Sequence, residues 1–114
     1  PREAAAACPQ LATARNYSAV TAACMVVRRE RFLRVGGFDE GLPVCYNDVD
    51  FCLRLRARGY FNVWTPFAVL AHHESATRGP DDTPLKRARH QREFARMLSR
   101  WGDRLARDPA YNPN

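Results

Sequence analysis

Asp48 is the side chain in this sequence best placed to do chemistry. It opens the stretch NDVDFCLRLRARG, which reads as an amphipathic helix, and it follows a turn-rich run, GGFDEGLP. The positive end of a helix dipole stabilises a carboxylate in its first turn. A charged carboxylate facing a cleft can take the proton from a hydroxyl. The same placement also fits a helix-end acid with no further role. Asp50 is explained by reaching back to the helix start and by pairing with Arg54 at i+4. His72 and His73 end an extended apolar stretch, and a neutral imidazole there can bind a divalent cation. On the local pattern alone, a packed or surface histidine pair fits better. A closed zinc site from Cys45, Cys52, His72 and His73 matches no usual ligand spacing. Glu74, Ser75, Arg78 and Gly79 follow, and Arg78 can contact a phosphate or remain solvated. Asp48 with Glu40 or Glu74 would make a carboxylate pair of the kind that hydrolyses glycosides, but nothing in the sequence fixes their separation.

These residues need elements to hold them. The apolar run YSAVTAACMVV predicts a buried strand over about 20–27. Glu30 to Val35 reads as a short helical turn with Phe32 and Val35 inward, ended by Gly36 and Gly37. Asn47 is the expected N-cap of a helix over about 46–59. Tyr46 and Phe51 have the spacing of a hydrophobic staple. Phe51, Cys52 and Leu55 form its apolar stripe, Arg54, Arg56 and Arg58 load its C-terminal half, and Gly59 ends it. FNVWT (61–65) and FAVLA (67–71) read as two extended pieces around Pro66, with Trp64 in the core. Residues 72–84 form a polar loop. A long helix then runs from Pro84 to about Leu105, with Phe94, Met97, Leu98, Trp101 and Leu105 on its apolar side.

The chain has 114 residues, enough for one hydrophobic core. At 46% hydrophobic and 26% charged residues it has a folding composition, which excludes a disordered chain. No apolar run approaches the ~18–20 residues of a membrane span. The net charge of +6 sits entirely on residues 86–107, which carry eight basic side chains against Glu93 and Asp103. Such a helix is a solvated face, a contact for an anionic membrane surface or acceptor, or a nucleic-acid surface. It lacks the interleaved aromatics of the last. Cys8, Cys24, Cys45 and Cys52 have irregular spacing, and Cys24 and Cys52 fall inside apolar patterns. They read as reduced, buried cysteines of a cytoplasmic protein. The opening PREAAAACPQ reads as a cut into a longer protein.

In combination these motifs resemble the C-terminal half of the family 2 glycosyltransferases, nucleotide-sugar-dependent enzymes of GT-A type. The resemblance covers about residues 17–114 and rests on GGFDE, NDVDFCLRL, the W-x-P turn and HHES followed by x-x-R-G, in that order. It implies a partial GT-A fold of mixed α/β class: a few short strands, packed helices and a long C-terminal helix. Residues 17–84 would be the acceptor-side half of the catalytic domain and 85–114 a basic helix and tail; residues 1–16, Ala-rich and without a clear period, read as a linker or an edge. It implies sugar transfer with inversion from a nucleotide-sugar donor to a glycan or lipid-linked acceptor, in surface polysaccharide or O-antigen biosynthesis. Asp48 matches the catalytic base, with Asn47 where many relatives carry an acid. His72, rather than His73, matches the ligand of a divalent metal, Mg²⁺ or Mn²⁺. Gly36, Gly37, Phe38, Asp39 and Glu40 match the loop lining the acceptor, and Arg78 a position that closes over the donor diphosphate. The family shares its metal with a DxD motif in a preceding donor-binding half. The one Asp-x-Asp string here, Asp48-Val49-Asp50, stands at the base position. Alone, this half would bind donor poorly, and its open sheet edge would favour a homodimer. The expected location is cytoplasmic, peripheral at the inner face of the cell membrane, with no nucleic-acid partner. The competing expectation is a non-catalytic basic module that docks on membrane or nucleic acid.

Overall fold

The computed structural model describes residues 12–72 and 83–107. In chain order these form strand β1 (Arg15–Tyr17), a 3₁₀ turn (Ala22–Cys24), helix α1 (Arg29–Arg34), helix α2 (Asn47–Ala57), strand β2 (Asn62–Trp64) and helix α3 (Pro84–Leu105). The class is mixed α/β, as expected. Its sheet is one antiparallel pair, β1 with β2, with Asn16 opposite Val63.

Helix α2 is the centre of the molecule because it is apolar on two sides. Phe51 and Leu55 face Val35, Met25, Val27, Phe32 and Tyr60. Leu53 faces the other way, onto Leu42 and Met97, with Tyr46, Val49 and Trp101 around them. The expected stripe of Phe51, Cys52 and Leu55 is buried, and Leu53 supplies the second face. Asn62 ties the strand pair to this helix: its amide donates to the carbonyls of Ser18 and Cys52.

Helix α3 has the expected bounds. The Thr83 hydroxyl accepts the Lys86 amide at 3.3 Å, with Pro84 in the first turn. Its inward face differs from the expected stripe. Met97 and Trp101 pack on α2, whereas Phe94, Leu98 and Leu105 stay 46%, 47% and 42% exposed. The carboxylate Glu93 is buried on this face instead.

Three expected elements are absent among the described residues. Residues 20–27 do not form a strand. The Thr21 hydroxyl accepts the Ala23 amide at 3.2 Å and turns the chain into the 3₁₀ turn. The backbone that follows is extended at Met25 (φ −131°, ψ 134°), but it joins no described sheet, and Val26 is exposed. Residues 67–71 turn away after Trp64, with the Phe67 amide bonded to the Thr65 hydroxyl. The Tyr46–Phe51 staple is not formed either. Asn47 begins the helix rather than capping it, and Tyr46 in the cap position has φ 63°. That left-handed residue throws its ring onto His90 and Phe94 of α3, while Phe51 packs on Phe32 and Phe38. Cys52 is a buried free thiol, whose pKa burial raises; Cys24 is free but exposed, contrary to expectation. Cys8 lies outside the described residues. No described helix is long and apolar enough to cross a membrane.

Candidate active site

Asp48 is the second residue of α2 and is partly buried. Its Oδ2 accepts the Ala22 amide at 3.0 Å and its Oδ1 accepts the Val49 amide at 2.8 Å. A carboxylate has about four acceptor positions. Two backbone bonds therefore orient the group and leave it capacity to accept a proton from a ligand. The chain enters the helix through Tyr46, the only non-glycine residue with positive φ among the described residues. Such backbone costs of order 1 kcal/mol and persists where surroundings enforce it. Here the Tyr46 hydroxyl lies 3.0 Å from His90 Nε2, and the Cys45 amide donates to the buried Glu93.

Asp50 turns to the opposite side and is fully buried. Its pairing with Arg54 forms as the i+4 spacing predicted, at 2.7 Å. Its other oxygen accepts from two groups of α3, Arg100 at 2.7 Å and the Trp101 indole at 2.9 Å. Burial pushes this carboxyl up, but the bonds from Trp101, Arg100 and Arg54 outweigh burial and hold its pKa below the ordinary value. Arg54 extends the chain of contacts by donating to the carbonyls of Val35 and Gly37. Val35 is the C-cap of α1, so this guanidinium also satisfies a helix end.

The turn that carries Gly36 to Glu40 is held from the same direction. Asp39 accepts Arg96 at 3.0 and 3.1 Å, Arg100 at 2.8 Å and the Gly41 amide at 2.8 Å. The Arg96 bond, opposed by burial and aided by Gly41 and Arg100, lowers the Asp39 pKa to about 2. Gly37 has φ 67°, and a Cβ there would stand 3.1 Å from the Phe32 ring. Phe38 packs its edge on Phe32 and lies tilted on Phe51. Glu40 is exposed, with its backbone beside Asp39. Gly36 (φ 83°) is also open to solvent. Within the basic helix, Arg89, Arg96 and Arg100 are thus drawn into ion pairs with Glu93, Asp39 and Asp50 rather than left on a solvated face.

The depressed carboxyls have a consequence in acid. Asp39 and Asp50 have folded pKa values below the ~3.9 of an unfolded aspartate. Their contribution is complete above that unfolded value and is lost as the pH falls toward about 2, where Asp39 protonates. The urea midpoint is expected to drop between pH 5 and pH 2 and to drop less in Asp39→Asn. A midpoint with the same pH dependence in the variant would remove Asp39 from the clamp.

His72 is exposed and lines a cavity of about 930 Å³ together with Thr21, Ala23, Arg31, Tyr60 and Trp64. Thr21 and Ala23 flank Ala22, whose amide binds Asp48. Asp48 is joined to this stretch through the Ala22 amide and is not itself among the residues that line the cavity. No group of three or more His, Cys, Asp or Glu that would hold a metal occurs among the described residues. A single imidazole does not make a closed protein cage for a metal. His73, Glu74, Ser75, Arg78 and Gly79 lie outside the described residues.

Sequence reasoning missed the Asp39–Arg96–Arg100–Asp50 contacts. Their only local signal was Asp50 and Arg54 at i+4. The partners of the other leg lie 50 and 51 residues away.

No family model and no solved structure matches the chain. Over 100 residues it is 60% identical to "Uncharacterized protein y4gI" of Sinorhizobium fredii, covering 87% of this chain and 11% of that protein. It is 43% identical over 100 residues to "O-antigen biosynthesis protein RfbC" of Myxococcus xanthus, covering 88% of this chain and 8% of that protein. It is 33% identical over 81 residues to an N-acetylglucosaminyl-diphospho-decaprenol L-rhamnosyltransferase of Mycobacterium tuberculosis, covering 71% and 26%. The chain thus spans about a tenth of the first two relatives and about a quarter of the third. It is related by distant homology to proteins of the glycosyltransferase superfamily.

Proposed function

From that homology we propose that the chain is the acceptor-side part of an inverting glycosyltransferase of family 2, GT-A type, acting in surface polysaccharide assembly. Its substrates would be a nucleotide-sugar donor and a glycan or lipid-linked acceptor. Asp48 takes the proton from the acceptor hydroxyl as the oxygen attacks the anomeric carbon. The carbon–oxygen bond to the donor diphosphate breaks in the same displacement, so the anomeric configuration inverts. The observation that carries this reading is the Asp48 carboxylate anchored to Ala22, in the turn whose neighbouring residues line the cavity with His72.

Gly36, Gly37, Phe38, Asp39 and Glu40 form the acceptor wall. In that wall Phe38 and Asp39 are held by packing and ion pairs, and Glu40 is the exposed acid that meets acceptor hydroxyls. Arg78 would contact the diphosphate. His72 would hold Mg²⁺ or Mn²⁺ together with a DxD motif outside this chain. Bound there, the cation would offset the charge of the departing diphosphate.

The test is incubation of the full-length protein with nucleotide-sugars and a lipid-linked acceptor, followed by the anomeric configuration of the product. Inversion is expected; retention, or sugar release from a glycan without nucleotide, would overturn the reading. His72→Ala in the same assay is expected to raise the metal concentration needed for half-maximal rate by ~10-fold or more, the scale of losing a metal-site group. An unchanged requirement would move the role away from His72.

A further inference from the structure

We propose that helix α3 is a positioning element of the Asp48 site, acting from both sides of that residue; this rests on the transferase reading above. The segment 45–50 is bracketed by α3. Upstream of Asp48, Glu93 holds the Cys45 amide and His90 meets the Tyr46 hydroxyl, pinning the left-handed turn. Downstream, Arg100 and Trp101 hold the Asp50 carboxylate. Asp48 itself touches neither set; its two hydrogen bonds go to backbone amides. Its direction is therefore set by the path of the first turn of α2, and α3 fixes that path at both ends.

The downstream contacts also close a circuit. Arg100 bonds both Asp50 and Asp39. Asp50 bonds Arg54, and Arg54 bonds the Gly37 carbonyl, two residues from Asp39. The base and the Gly36–Glu40 wall are thus held relative to one another through one guanidinium of α3. Buried ion networks of this kind add little net stability over apolar packing. What they add is direction, because each charge-assisted bond has a narrow geometry. Arg100 and Trp101 are accordingly positioning residues, whereas Met97 between the two polar sets supplies the apolar packing.

Trp101→Phe keeps the ring and removes the indole donor. Arg100→Met removes the bridge between the carboxylates, and Arg100→Lys returns a charge able to donate to both. In the full-length protein two readouts apply. The first is hydrogen exchange in the peptides spanning 20–24 and 45–50, which reports the Asp48–Ala22 bond without any activity. The second is kcat against donor KM. Trp101→Phe and Arg100→Met are expected to speed exchange in those two peptides by ~10-fold while the β1 and α1 peptides keep their protection. They are expected to lower kcat by ~10- to 100-fold, the scale of a small misplacement, with donor KM within about twofold and partial recovery in Arg100→Lys. Exchange rising equally in all peptides, or unchanged in 20–24 with kcat per folded molecule retained, would overturn the proposal. Arg96→Gln, on the more exposed leg to Asp39, is the second variant should Trp101→Phe fold poorly; it is expected to lower kcat several-fold without loosening 20–24. No change in kcat there would remove the Asp39 leg. A wild-type protein that transfers no sugar would sink the transferase reading while the exchange readout still decides the positioning.

Discussion

Asp48→Asn in the full-length protein is expected to lower the sugar-transfer rate by ~10²–10⁴-fold, the usual worth of a general base. The substitution keeps the size of the side chain. An amide oxygen can still accept one of the two backbone bonds that Asp48 makes to Ala22 and Val49, so the turn and the start of α2 stay in place. What disappears is the group proposed to receive the acceptor proton. Donor affinity is expected to remain within a few-fold, since nothing in the base's role touches the diphosphate. Single-turnover transfer measured alongside equilibrium donor binding separates the two. Turnover retained near the wild-type rate would remove Asp48 from the mechanism.

Asp50→Ala is expected to be the most damaging change to the fold, at about 3–5 kcal/mol, the cost of breaking a buried ion pair from one side. Asp50 is fully buried and receives Arg54, Arg100 and Trp101. Its loss strands two guanidiniums and an indole N–H against one another. Arg100 is 35% exposed and can recover some water, so the lower end of that range applies best. Even that is a large share of the ~5–15 kcal/mol typical of a domain. Asp50→Asn is expected to cost less, because its one oxygen still accepts from Trp101 while its amide faces Arg54. Urea unfolding followed by Trp fluorescence measures both. A loss below 1 kcal/mol for Asp50→Ala would mean that the circuit contributes nothing to holding α3.

The two carboxylates of the string Asp48-Val49-Asp50 show how far the sequence could be read. Local pattern located α2, its apolar stripe, the end at Gly59, and α3 from Pro84 to Leu105. Periodicity and capping are local, so they are visible in local sequence. The division of labour between the two acids was half visible. Asp48 at the helix start carried a signal, and so did the Asp50–Arg54 spacing. The meeting of Asp50 with Arg100 and Trp101 is a tertiary contact that no local spacing announces. The strand expected over 20–27 failed for the converse reason. Its apolar, β-branched composition fits a pleated surface, but a strand also needs a ladder partner, and the Thr21 hydroxyl offers the backbone a turn instead. The Tyr46–Phe51 staple failed because a left-handed residue at 46 sends the ring to α3, a conformation the sequence Cys-Tyr-Asn does not advertise.

Among the residues of the proposed acceptor wall, Asp39 is the one whose meaning the structure enlarges. The resemblance pointed to it as an acceptor contact. Its carboxylate is held by two arginines of α3 and by the Gly41 amide. Glu40, beside it, is exposed and is the member of the pair proposed to meet the acceptor.

The most direct measurement uses Mn²⁺ as a paramagnetic probe in the full-length protein loaded with a nucleoside diphosphate. Relaxation of the His72 ring protons and of the Ala22 amide, which reports the Asp48 carboxylate, would be read together. Strong broadening of both, abolished at both when diamagnetic Mg²⁺ replaces Mn²⁺, is the predicted result, because base and metal ligand would share one crevice. Broadening at His72 with an unaffected Ala22 amide would separate the acid from the imidazole and contradict the enzymatic account.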